Sequence, residues 1–427
     1  MTPASGLPAR AVALEALSRV LRRRLSLDDA LDPGGLDERD RAFARLLSAT
    51  VLRRLGQIDS LIDGCLERPL PAKAAKVKDL LRLGVAQLVF LDTPPHAAVT
   101  TSVEMTKAAG LPAHVKLVNA VLRRLARDGK TLAAGQDAPR LDTPDWLWDA
   151  WTAAYGAETC RAIAQAHLAE APLDFSVKAD APGWAGRLEA ELLPTGSLRR
   201  PAGGLVSALP GYAEGAWWVQ DAAAALPARL LGPVAGQRVA DLCAAPGGKT
   251  AQLAAAGAEV TALDRSPARL ERLSANLTRL HLNAHVQLAD ASAWEPAVPF
   301  DAVLLDAPCS ATGTLRRHPD AAWLKRPEDV ARLAAAQDRL LAAASRMLRP
   351  GGMLVYCTCS LQAEEGAERI DALLAGGAPL RRVPIGAGEV GGLSELLTPV
   401  GDLRSLPCHL AEKGGMDAFY AARLQKS

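Results

Sequence analysis

The second half of the chain alternates short β-type apolar runs with longer amphipathic segments, and this alternation restricts the fold more than any other feature. Strands are predicted at residues 238–242, 259–263, 285–288, 302–305 and 353–357. Apolar residues at helical spacing predict helices at residues 249–256, 267–280, 327–348 and 363–374. The pattern predicts a doubly wound α/β domain, in which helices cover both faces of a mainly parallel sheet and ligands bind at the carboxyl ends of its strands.

The first third of the chain predicts an all-α bundle instead. Apolar residues recur at helical spacing in six segments separated by proline and glycine, and β-type runs are nearly absent. The predicted helices are residues 11–25, 41–55, 58–66, 77–89, 99–109 and 115–127. Residues 129–142 then have the composition of a linker.

Residues 143–215 have a mixed pattern, which we interpret as a small connector domain. Helices are predicted there at residues 144–155 and 157–170, and short strands at residues 174–177 and 205–208. A chain of 427 residues is too long for one ordinary core. We therefore expect three domains, at residues 1–140, 141–215 and 216–427.

The composition is that of a soluble globular protein, with 22% charged and 49% hydrophobic residues. No apolar run approaches the roughly 20 residues of a membrane span, so we expect no membrane association. The arginine-rich residues 1–25 have a helical pattern and are followed at once by an acidic stretch, so no cleaved signal is predicted. Seven cysteines without the spacing of a secreted disulfide framework indicate reduced thiols and a cytoplasmic location.

Charge is distributed unevenly along the chain. Residues 1–140 carry 22 basic and 15 acidic side chains, a net charge of +7, which leaves the remainder at −5. A basic first third is typical of a domain that binds an anionic partner such as a nucleic acid. A solvated helical surface would show the same excess of arginine, so charge alone leaves both interpretations open.

Residues 239–250 predict a strand, a turn of small residues and the start of a helix, an arrangement that lets the backbone approach a ligand closely. The stretch is not a P-loop, because Cys243 stands where the leading glycine is required, and it lacks the G-x-G-x-x-G pattern. A tight turn without a ligand is the alternative. Asp264 and Asp290 follow the next two predicted strands, and acidic residues at successive strand ends favour a nucleoside-type ligand.

Two cysteines follow the last two predicted strands, Cys309 after the fourth and Cys359 after the fifth. If these strands are neighbours in a parallel sheet, both thiols lie beside the same pocket. No metal site is predicted, because Cys-x-Cys is a poor zinc spacing and no second Cys/His pair accompanies it. A disulfide is disfavoured in a reducing compartment. Burial as an inert thiol fits Cys65 and Cys160 better than it fits two cysteines in loops.

Three stretches, residues 241–250, 306–313 and 358–360, together resemble the RNA cytosine-C5 methyltransferases of the NOL1/NOP2/Sun family. The first third resembles the NusB-like RNA-binding domain, most specifically at residues 117–124. The resemblance spans nearly the whole chain. It implies a NusB-like bundle, a connector and a Rossmann-like methyltransferase domain, with S-adenosylmethionine as cofactor and RNA as substrate. Residues 174–177 depart from the family's usual connector sequence.

The resemblance also implies a role for each matching residue. Cys359 would be the nucleophile, Cys309 would release the product, and Asp306 would lie between cofactor and base. Asp264 would hold the ribose of the cofactor, and Asp290 would lie near its adenine. The methionine end would be cradled by the turn and helix start, which are Cys243, Ala244, Ala245, Pro246, Gly247, Gly248 and Lys249.

The reaction requires such groups. C5 of cytosine is too poor a nucleophile to attack a methyl sulfonium unaided, whereas a thiolate that adds at C6 makes C5 enamine-like. An electropositive pocket favours the thiolate, with Lys249 as the candidate contributor. Asp306 can hydrogen-bond to ring N3 or to the exocyclic amine. The base must be unstacked to be reached. The family resemblance further implies that Gln220 and Asp221 would border the pocket.

The expected substrate is small-subunit ribosomal RNA, and the expected protein is a monomer without a metal. The same chemistry on transfer RNA is the alternative within this enzyme class. A non-catalytic RNA-binding or antitermination factor is the alternative from a different class, because the NusB-like part alone would suggest it. The presence of both Cys309 and Cys359 argues against a non-catalytic factor.

Overall fold

The computed structural model describes residues 6–32 and 34–427 and divides the chain into two units. The helical unit comprises Met1–Leu168 together with Leu315–Arg326, and the sheet unit comprises Ala169–Thr314 together with Pro327–Ser427. Residues 1–5 and Pro33, which belong to the first predicted domain, lie outside the described residues. Within the described ranges, no helix is long and apolar enough to cross a membrane.

The helical unit contains the helices that apolar periodicity predicts for the first third of the chain. Side chains such as Leu17, Val51 and Leu122 are fully buried in its core. Burying an aliphatic side chain of this size stabilises a fold by about 1.5–3 kcal/mol. The helices are α1 (Leu7–Arg23), α2 (Leu27–Ala30), α3 (Glu38–Arg53), α4 (Leu55–Asp63), α5 (Ala75–Val85), a π-helical turn (Ala86–Phe90), α6 (Pro95–Ala108), α7 (Val115–Ala134), α8 (Ala138–Leu141), α9 (Asp145–Tyr155) and α10 (Ala157–His167).

The predicted linker at residues 129–142 is wrong, because α7 and α8 occupy most of it. Gly129 is buried in α7, where a Cβ atom would lie 3.0 Å from Val89 Cγ2. Glycine weakens an isolated helix, but here it permits a close contact that holds the helix in place. Since α9 and α10 also belong to the helical unit, that unit extends to Leu168, beyond the predicted boundary at residue 140.

The strands of the sheet unit form two sheets. A small antiparallel sheet has the order β2-β3-β1-β4, and a larger sheet has the order β10-β12-β9-β8-β5-β6-β7, with β11 beside β12. The strands are β1 (Leu173–Val177), β2 (Glu191–Leu192), β3 (Leu198–Arg200), β4 (Trp217–Val219), β5 (Arg238–Leu242), β6 (Glu259–Asp264), β7 (His285–Leu288), β8 (Phe300–Asp306), β9 (Leu348–Thr358), β10 (Leu380–Arg382), β11 (Leu403–Arg404) and β12 (Tyr420–Lys426).

The larger sheet confirms the predicted doubly wound α/β architecture. Strands β7, β6, β5, β8 and β9 are parallel, and β12 and β10 add an antiparallel edge. Successive residues of β8 enter different cores, with Leu304 on one face and Val303 and Leu305 on the other. The α-helices of the sheet unit are α11 (Ala181–Arg187), α12 (Leu226–Arg229), α13 (Gly248–Ala255), α14 (Pro267–Arg279), α16 (Pro327–Met347) and α17 (Ala367–Ala375). The short helix α15 (Ala321–Leu324) belongs to the helical unit.

The predicted strand at residues 205–208 is wrong. Val206–Ala208 forms a single 3₁₀ turn, in which the Ala208 amide donates to the Leu205 carbonyl at 3.0 Å. Leu205 is exposed, and only Val206 of this segment packs partly buried against the core of the small sheet, so a single turn is enough to bury it.

The unusual residues 174–177 lie in the central strand of the small sheet and have a structural explanation. The buried Asp174 carboxylate accepts two hydrogen bonds from Arg199, from Nε at 2.6 Å and from Nη2 at 2.7 Å. It also accepts a hydrogen bond from the Ala222 amide at 2.9 Å. A buried charge is tolerated when it is paired in this way, so Asp174 joins β1 to β3 and to the chain that enters the larger sheet.

The contact between α4 and α8 provides a test of the finding that residues 129–142 are helical and packed rather than a linker. A Cβ atom at Gly56 would lie 1.8 Å from the Leu141 carbonyl oxygen. Because backbone cannot move aside as a flexible side chain can, Gly56→Ala should weaken this packing by about 1–3 kcal/mol. Hydrogen exchange of the α4 and α8 amides measures the local opening. Gly135→Ala is the control, since its Cβ would meet its nearest neighbour at 3.6 Å, and equal protection in both variants would contradict the close packing.

Candidate active site

The turn between β5 and α13 brings backbone close to the carboxyl ends of the parallel strands. Cys243 and Gly247 have left-handed conformations, with φ of 62° and 101°. A Cβ atom at Gly247 would lie 2.9 Å from Leu273 Cγ, so both the turn and its packing against α14 require glycine. Helix α13 begins at the next residue, and the first amides of a helix lack partners within the helix. The predicted ligand turn is therefore present as a strand, a small-residue turn and a helix start.

A cavity of about 110 Å³ adjoins this turn. It is lined from several strand ends by Cys243, Asp264, Asp290 and Pro308, and Arg269 of α14 contributes to its wall. Pro308 immediately precedes Cys309, so the cavity extends from the β6 end of the sheet to the turn after β8. The structure thus brings the predicted cofactor residues and the predicted chemical residues to one edge of the sheet.

Asp264 is the last residue of β6, and hydrogen bonds from nearby backbone amides hold its buried carboxylate in place. It accepts hydrogen bonds from the Ala245 amide at 3.2 Å and from the Ser266 amide at 3.0 Å, and Arg269 Nη1 lies 3.4 Å away. Each carboxylate oxygen has two lone pairs, so Asp264 retains capacity for hydroxyl donors at the cavity. These free acceptor sites fit the hydroxyl groups of a ribose.

Asp290 lies in the turn after β7, on the exposed side of the cavity. Its carboxylate accepts hydrogen bonds from Ser292, from the hydroxyl at 2.7 Å and from the amide at 2.9 Å, and these bonds lower the pKa of Asp290. The side chain is therefore held as an ionised acceptor at the cavity that Cys243 of the turn after β5 also lines.

Asp241 is a fully buried acid in β5 to which the sequence analysis assigned no role. It accepts a hydrogen bond from Thr250 Oγ1 of α13 at 2.6 Å, and burial raises its pKa to about 7. This contact ties the strand before the turn to the helix after it, so it fixes the shape of the turn. The signal in the sequence is the acid near the strand end followed by a hydroxyl in the first turn of the helix.

Lys249 and Asp306 form an ion pair inside the site. Lys249 Nζ donates to Asp306 Oδ2 at 2.7 Å and lies 4.9 Å from the centre of the Phe419 ring. Burial opposes the charge of Lys249, but the Asp306 carboxylate, Cys357 and Asp241 together raise the pKa of the ammonium above its usual value. Only 8% of the Lys249 side chain is exposed, against 32% for Asp306, so the carboxylate is the accessible half of the pair.

The turns after β8 and β9 bring the two predicted thiols together. Cys309 Sγ and Cys359 Sγ are 3.5 Å apart, and both residues are partly exposed. The hydrogen bond with Cys359 is the main cause that raises the pKa of Cys309, and burial raises it further. The two sulfur atoms are therefore in contact, at the carboxyl ends of two neighbouring strands.

The other two thiols near the site are unsuited to nucleophilic attack. Cys357 is fully buried, with Sγ 3.6 Å from Asp306 Oδ1, and burial raises its pKa. Burial also raises the pKa of Cys243 to about 12, with help from the carboxylates of Asp306 and Asp264. Both side chains stay neutral and act as packing beside the ion pair.

The remaining predicted residues support the turn from outside. Gln220 accepts hydrogen bonds from Ser176 and Trp218, each at 2.8 Å, and donates to Gln252 of α13 at 2.8 Å. Asp221 accepts a hydrogen bond from the Ala223 amide at 2.8 Å. Both residues are buried. Within the described part of the chain, no cluster of His, Cys, Asp and Glu could hold a metal ion.

A larger groove, of about 610 Å³, lies in the helical unit and does not contain the predicted chemical residues. Its Arg161 is paired with Asp137 at 2.8 Å, and Arg54 donates to the Leu168 carbonyl at 3.0 Å. Volume therefore does not identify the active site in this protein, whereas the charges and thiols at the sheet edge do.

Comparison with known proteins agrees with this geometry. Residues 228–425 match the family described as 16S rRNA methyltransferase RsmB/F, and residues 7–127 match the NusB family. The chain is 36% identical over 439 residues to ribosomal RNA small subunit methyltransferase B of Cronobacter sakazakii, covering 98% of each chain. It is 39% identical over 409 residues to the protein of that name from Xanthomonas campestris pv. campestris, covering 90% of this chain and 92% of the relative.

Solved structures share the fold. The crystal structure of PH0851 superposes with a TM-score of 0.76 at 22% identity and covers 99% of both chains. A methyltransferase homologue from Pyrococcus horikoshii has a TM-score of 0.54 at 26% identity, covering 65% of this chain and 94% of its own. Because relatives more than 30% identical align over nearly the whole chain, this protein belongs to the RsmB/F methyltransferase family, with a NusB-family region and with S-adenosylmethionine as its cofactor.

Proposed function

We propose that this enzyme methylates C5 of a cytosine in small-subunit ribosomal RNA through a covalent adduct between Cys359 and C6. The observation that carries the proposal is the 3.5 Å separation of the Cys309 and Cys359 sulfur atoms beside the Lys249–Asp306 ion pair. The ribosomal substrate is supported by the printed names of the relatives, which are ribosomal RNA small subunit methyltransferases. A cytoplasmic location is supported by the seven cysteines, all of which are free thiols.

The cofactor would be held by the carboxylates and the turn at the sheet edge. Asp264 would accept from the ribose hydroxyls, Asp290 would face the adenine, and residues 243–249 would surround the methionine end. When bound, S-adenosylmethionine supplies an electrophilic methyl group.

Cys359 would make C5 reactive by adding its sulfur to C6. The addition converts the aromatic ring into an enamine, whose electron density is greatest at C5. Cys359 suits this role because it is partly exposed, whereas Cys357, two residues earlier, is fully buried.

Asp306 would orient the base and stabilise the adduct. Its partly exposed carboxylate can hydrogen-bond to ring N3 or to the exocyclic amine, with a proton on one of the two partners. The ammonium of Lys249 keeps this carboxylate in one orientation. We therefore assign Lys249 to the positioning of Asp306, rather than to the ionisation of Cys359 that the sequence suggested.

Cys309 would accept the C5 proton, directly or through water, so that the bond between Cys359 and C6 can break. In the free enzyme the hydrogen bond with Cys359 raises the pKa of Cys309 more than any other contact. Once the Cys359 sulfur is a thioether, it carries neither a proton nor a negative charge. The largest cause of the raised pKa is then removed while burial still acts, so the Cys309 thiol ionises more readily than in the free enzyme at the step that needs a base.

The substrate is tested by bisulfite sequencing of ribosomal and transfer RNA from strains with and without the gene. The proposal expects one cytosine in small-subunit ribosomal RNA to lose its methyl group in the deletion strain. Loss of methylation in transfer RNA instead would replace the ribosomal substrate, and an unchanged pattern in both RNAs would reject cytosine-C5 methylation.

The ribose assignment predicts that Asp264→Ala weakens S-adenosylmethionine binding by roughly 1–3 kcal/mol, because charge-assisted hydrogen bonds are lost. Calorimetry on the folded variant measures the affinity. Glu259→Ala is the matched control, since Glu259 is exposed at the opposite end of the same strand. Unchanged affinity in Asp264→Ala would refute the assignment.

The helical unit is proposed to bind RNA through exposed arginines of α7, the helix that contains the most NusB-like stretch. Replacing the exposed Arg123 and Arg124 with alanine should weaken RNA binding and reduce the slope of log K against log salt by about 1–2. Arg349→Ala in the sheet unit is the control. Filter binding across a salt series measures the effect, and identical slopes in all three proteins would reject this surface.

Removing the Cys359 thiol and removing the Cys309 thiol should block different steps of the reaction. Cys359→Ala should be inactive and form no covalent RNA complex, because it lacks the nucleophile. Cys309→Ala should attack and methylate but release slowly, so a protein–RNA adduct should survive denaturing electrophoresis. Cys408→Ala, which removes a partly exposed thiol outside this pair, should behave as the wild type. Normal turnover of Cys309→Ala, or an adduct in Cys359→Ala, would overturn the assignment.

A further inference from the structure

Glu365 is a buried acid that the proposed reaction does not use. It ends the 3₁₀ turn Ala363–Glu365, six residues after the predicted nucleophile Cys359, and its side chain is fully buried. An isolated carboxylate at such a position would be costly, so its contacts must explain its presence.

The Glu365 carboxylate joins the turns that carry the two reactive thiols. It accepts hydrogen bonds from Ser310, from the amide at 2.9 Å and from the hydroxyl at 2.5 Å. It also accepts a hydrogen bond from the Ser360 hydroxyl at 2.6 Å. Ser310 directly follows Cys309, and Ser360 directly follows Cys359. One side chain therefore contacts the residue after each thiol.

The surrounding structure fixes Glu365 itself. Its backbone carbonyl accepts hydrogen bonds from the Tyr356 hydroxyl and from Thr358 Oγ1, both at 2.9 Å, so the turn is anchored to the end of β9. Gln337 Nε2, from α16, lies 3.4 Å from Glu365 Oε1. Burial raises the pKa of Glu365, and the hydrogen bonds from Ser310 and Ser360 oppose that rise.

Other contacts also join the two turns. Ser310 Oγ lies 3.0 Å from Ser360 Oγ, and Thr312 Oγ1 lies 3.4 Å from Ser360 Oγ. The Gly313 amide donates to the Cys359 carbonyl at 3.0 Å, and the Leu361 amide donates to Thr312 Oγ1 at 3.0 Å. The Glu365 carboxylate accepts from the two serine hydroxyls at 2.5 and 2.6 Å, shorter than the 3.0 Å between them, so it is the tightest link between the residues that follow the two thiols.

We propose that Glu365 is a positioning residue that sets the distance between the Cys309 and Cys359 sulfur atoms, and that it does so through Ser310 and Ser360. This inference rests on the proposed reaction, in which the two thiols act in succession on one base. A thiol displaced by about 1 Å from its reacting carbon can lower a rate about a hundredfold, so a device that holds both turns has a direct effect on rate.

The position requires a carboxylate rather than an amide. The Ser310 amide lies 2.9 Å from Glu365 Oε1 and 3.1 Å from Oε2. In Glu365→Gln, an oxygen at the Oε1 position can still accept from the Ser310 amide, but an NH₂ group replaces Oε2, which accepts from the Ser310 and Ser360 hydroxyls. Two short, charge-assisted O–H···O⁻ bonds then become neutral N–H···O contacts, which are longer, so the turns after the two thiols must move apart.

The test compares Glu365→Gln with Glu364→Gln, which changes the adjacent exposed acid in the same way. Four quantities are measured: the affinity for S-adenosylhomocysteine, the steady-state kcat for RNA, the KM for RNA, and the rate of covalent trapping by RNA that contains 5-fluorocytosine in the presence of S-adenosylmethionine. After methyl transfer, the fluorine at C5 cannot be removed as a proton, so trapping reports attack and methyl transfer without release.

Glu365→Gln should lower kcat and the trapping rate at least about tenfold, while cofactor affinity and KM stay within about threefold of the wild type. Glu364→Gln should leave all four quantities unchanged. Ser360→Ala tests whether Glu365 acts through Ser360. If it does, the double variant should lose less kcat than the two single variants predict when their effects on the activation free energy are added.

The possible failures are distinguishable. If the wild type traps no fluorinated RNA, the covalent mechanism is rejected. If the wild type traps RNA and Glu365→Gln does so at the same rate, only the positioning role is rejected. A Glu365→Gln protein that melts earlier but keeps its kcat, or whose cofactor affinity falls together with kcat, would make Glu365 a purely structural residue. Additive effects of the two substitutions would reject the route through Ser360.

Discussion

The parallel pairing of β8 with β9 is the constraint on which the rest of the active site depends. The register sets Asp306 beside Cys357, so the turns that carry Cys309 and Cys359 begin side by side. Because side chains alternate between the two faces of a strand, a shift of one residue would move Asp306 to the other face. The Lys249 ion pair and the approach of the two sulfur atoms would be lost together.

Burial then determines how these groups are held. Lys249 has Asp306 as its partner, Asp264 has the amides of its own turn, and Glu365 has the donors of two serines. An unpaired charge at any of these positions would cost several kcal/mol, so the contacts that make burial tolerable also fix the orientation of each side chain. A site of this kind is preorganised, because little rearrangement remains to be made during the reaction.

Local sequence patterns predicted much of this fold and failed where long-range packing outweighs them. Strands β5 and β7 were predicted residue for residue, since their apolar runs end at clear turns. Residues 129–142 were predicted as a linker, yet the close contact of Gly56 with α8 keeps that region helical and packed. The structure also assigns Leu315–Arg326 to the helical unit, although the segment lies in sequence between two parts of the sheet unit. No local pattern marks that assignment, because it depends on contacts with residues about 300 positions away, such as that of Asp320 with the Leu27 amide.

Local sequence patterns are enough to predict the alternation of strands and helices, the small-residue turn, and the acids and thiols that follow the strands. These features are local, since each depends on residues a few positions apart. Long-range packing, in contrast, makes β8 and β9 neighbours, pairs Lys249 with Asp306 rather than with a thiol, and lets Glu365 join the two cysteine turns. Each of these contacts either crosses the sheet or spans many residues of chain, so its existence depends on strand order and packing, which no short stretch of sequence specifies.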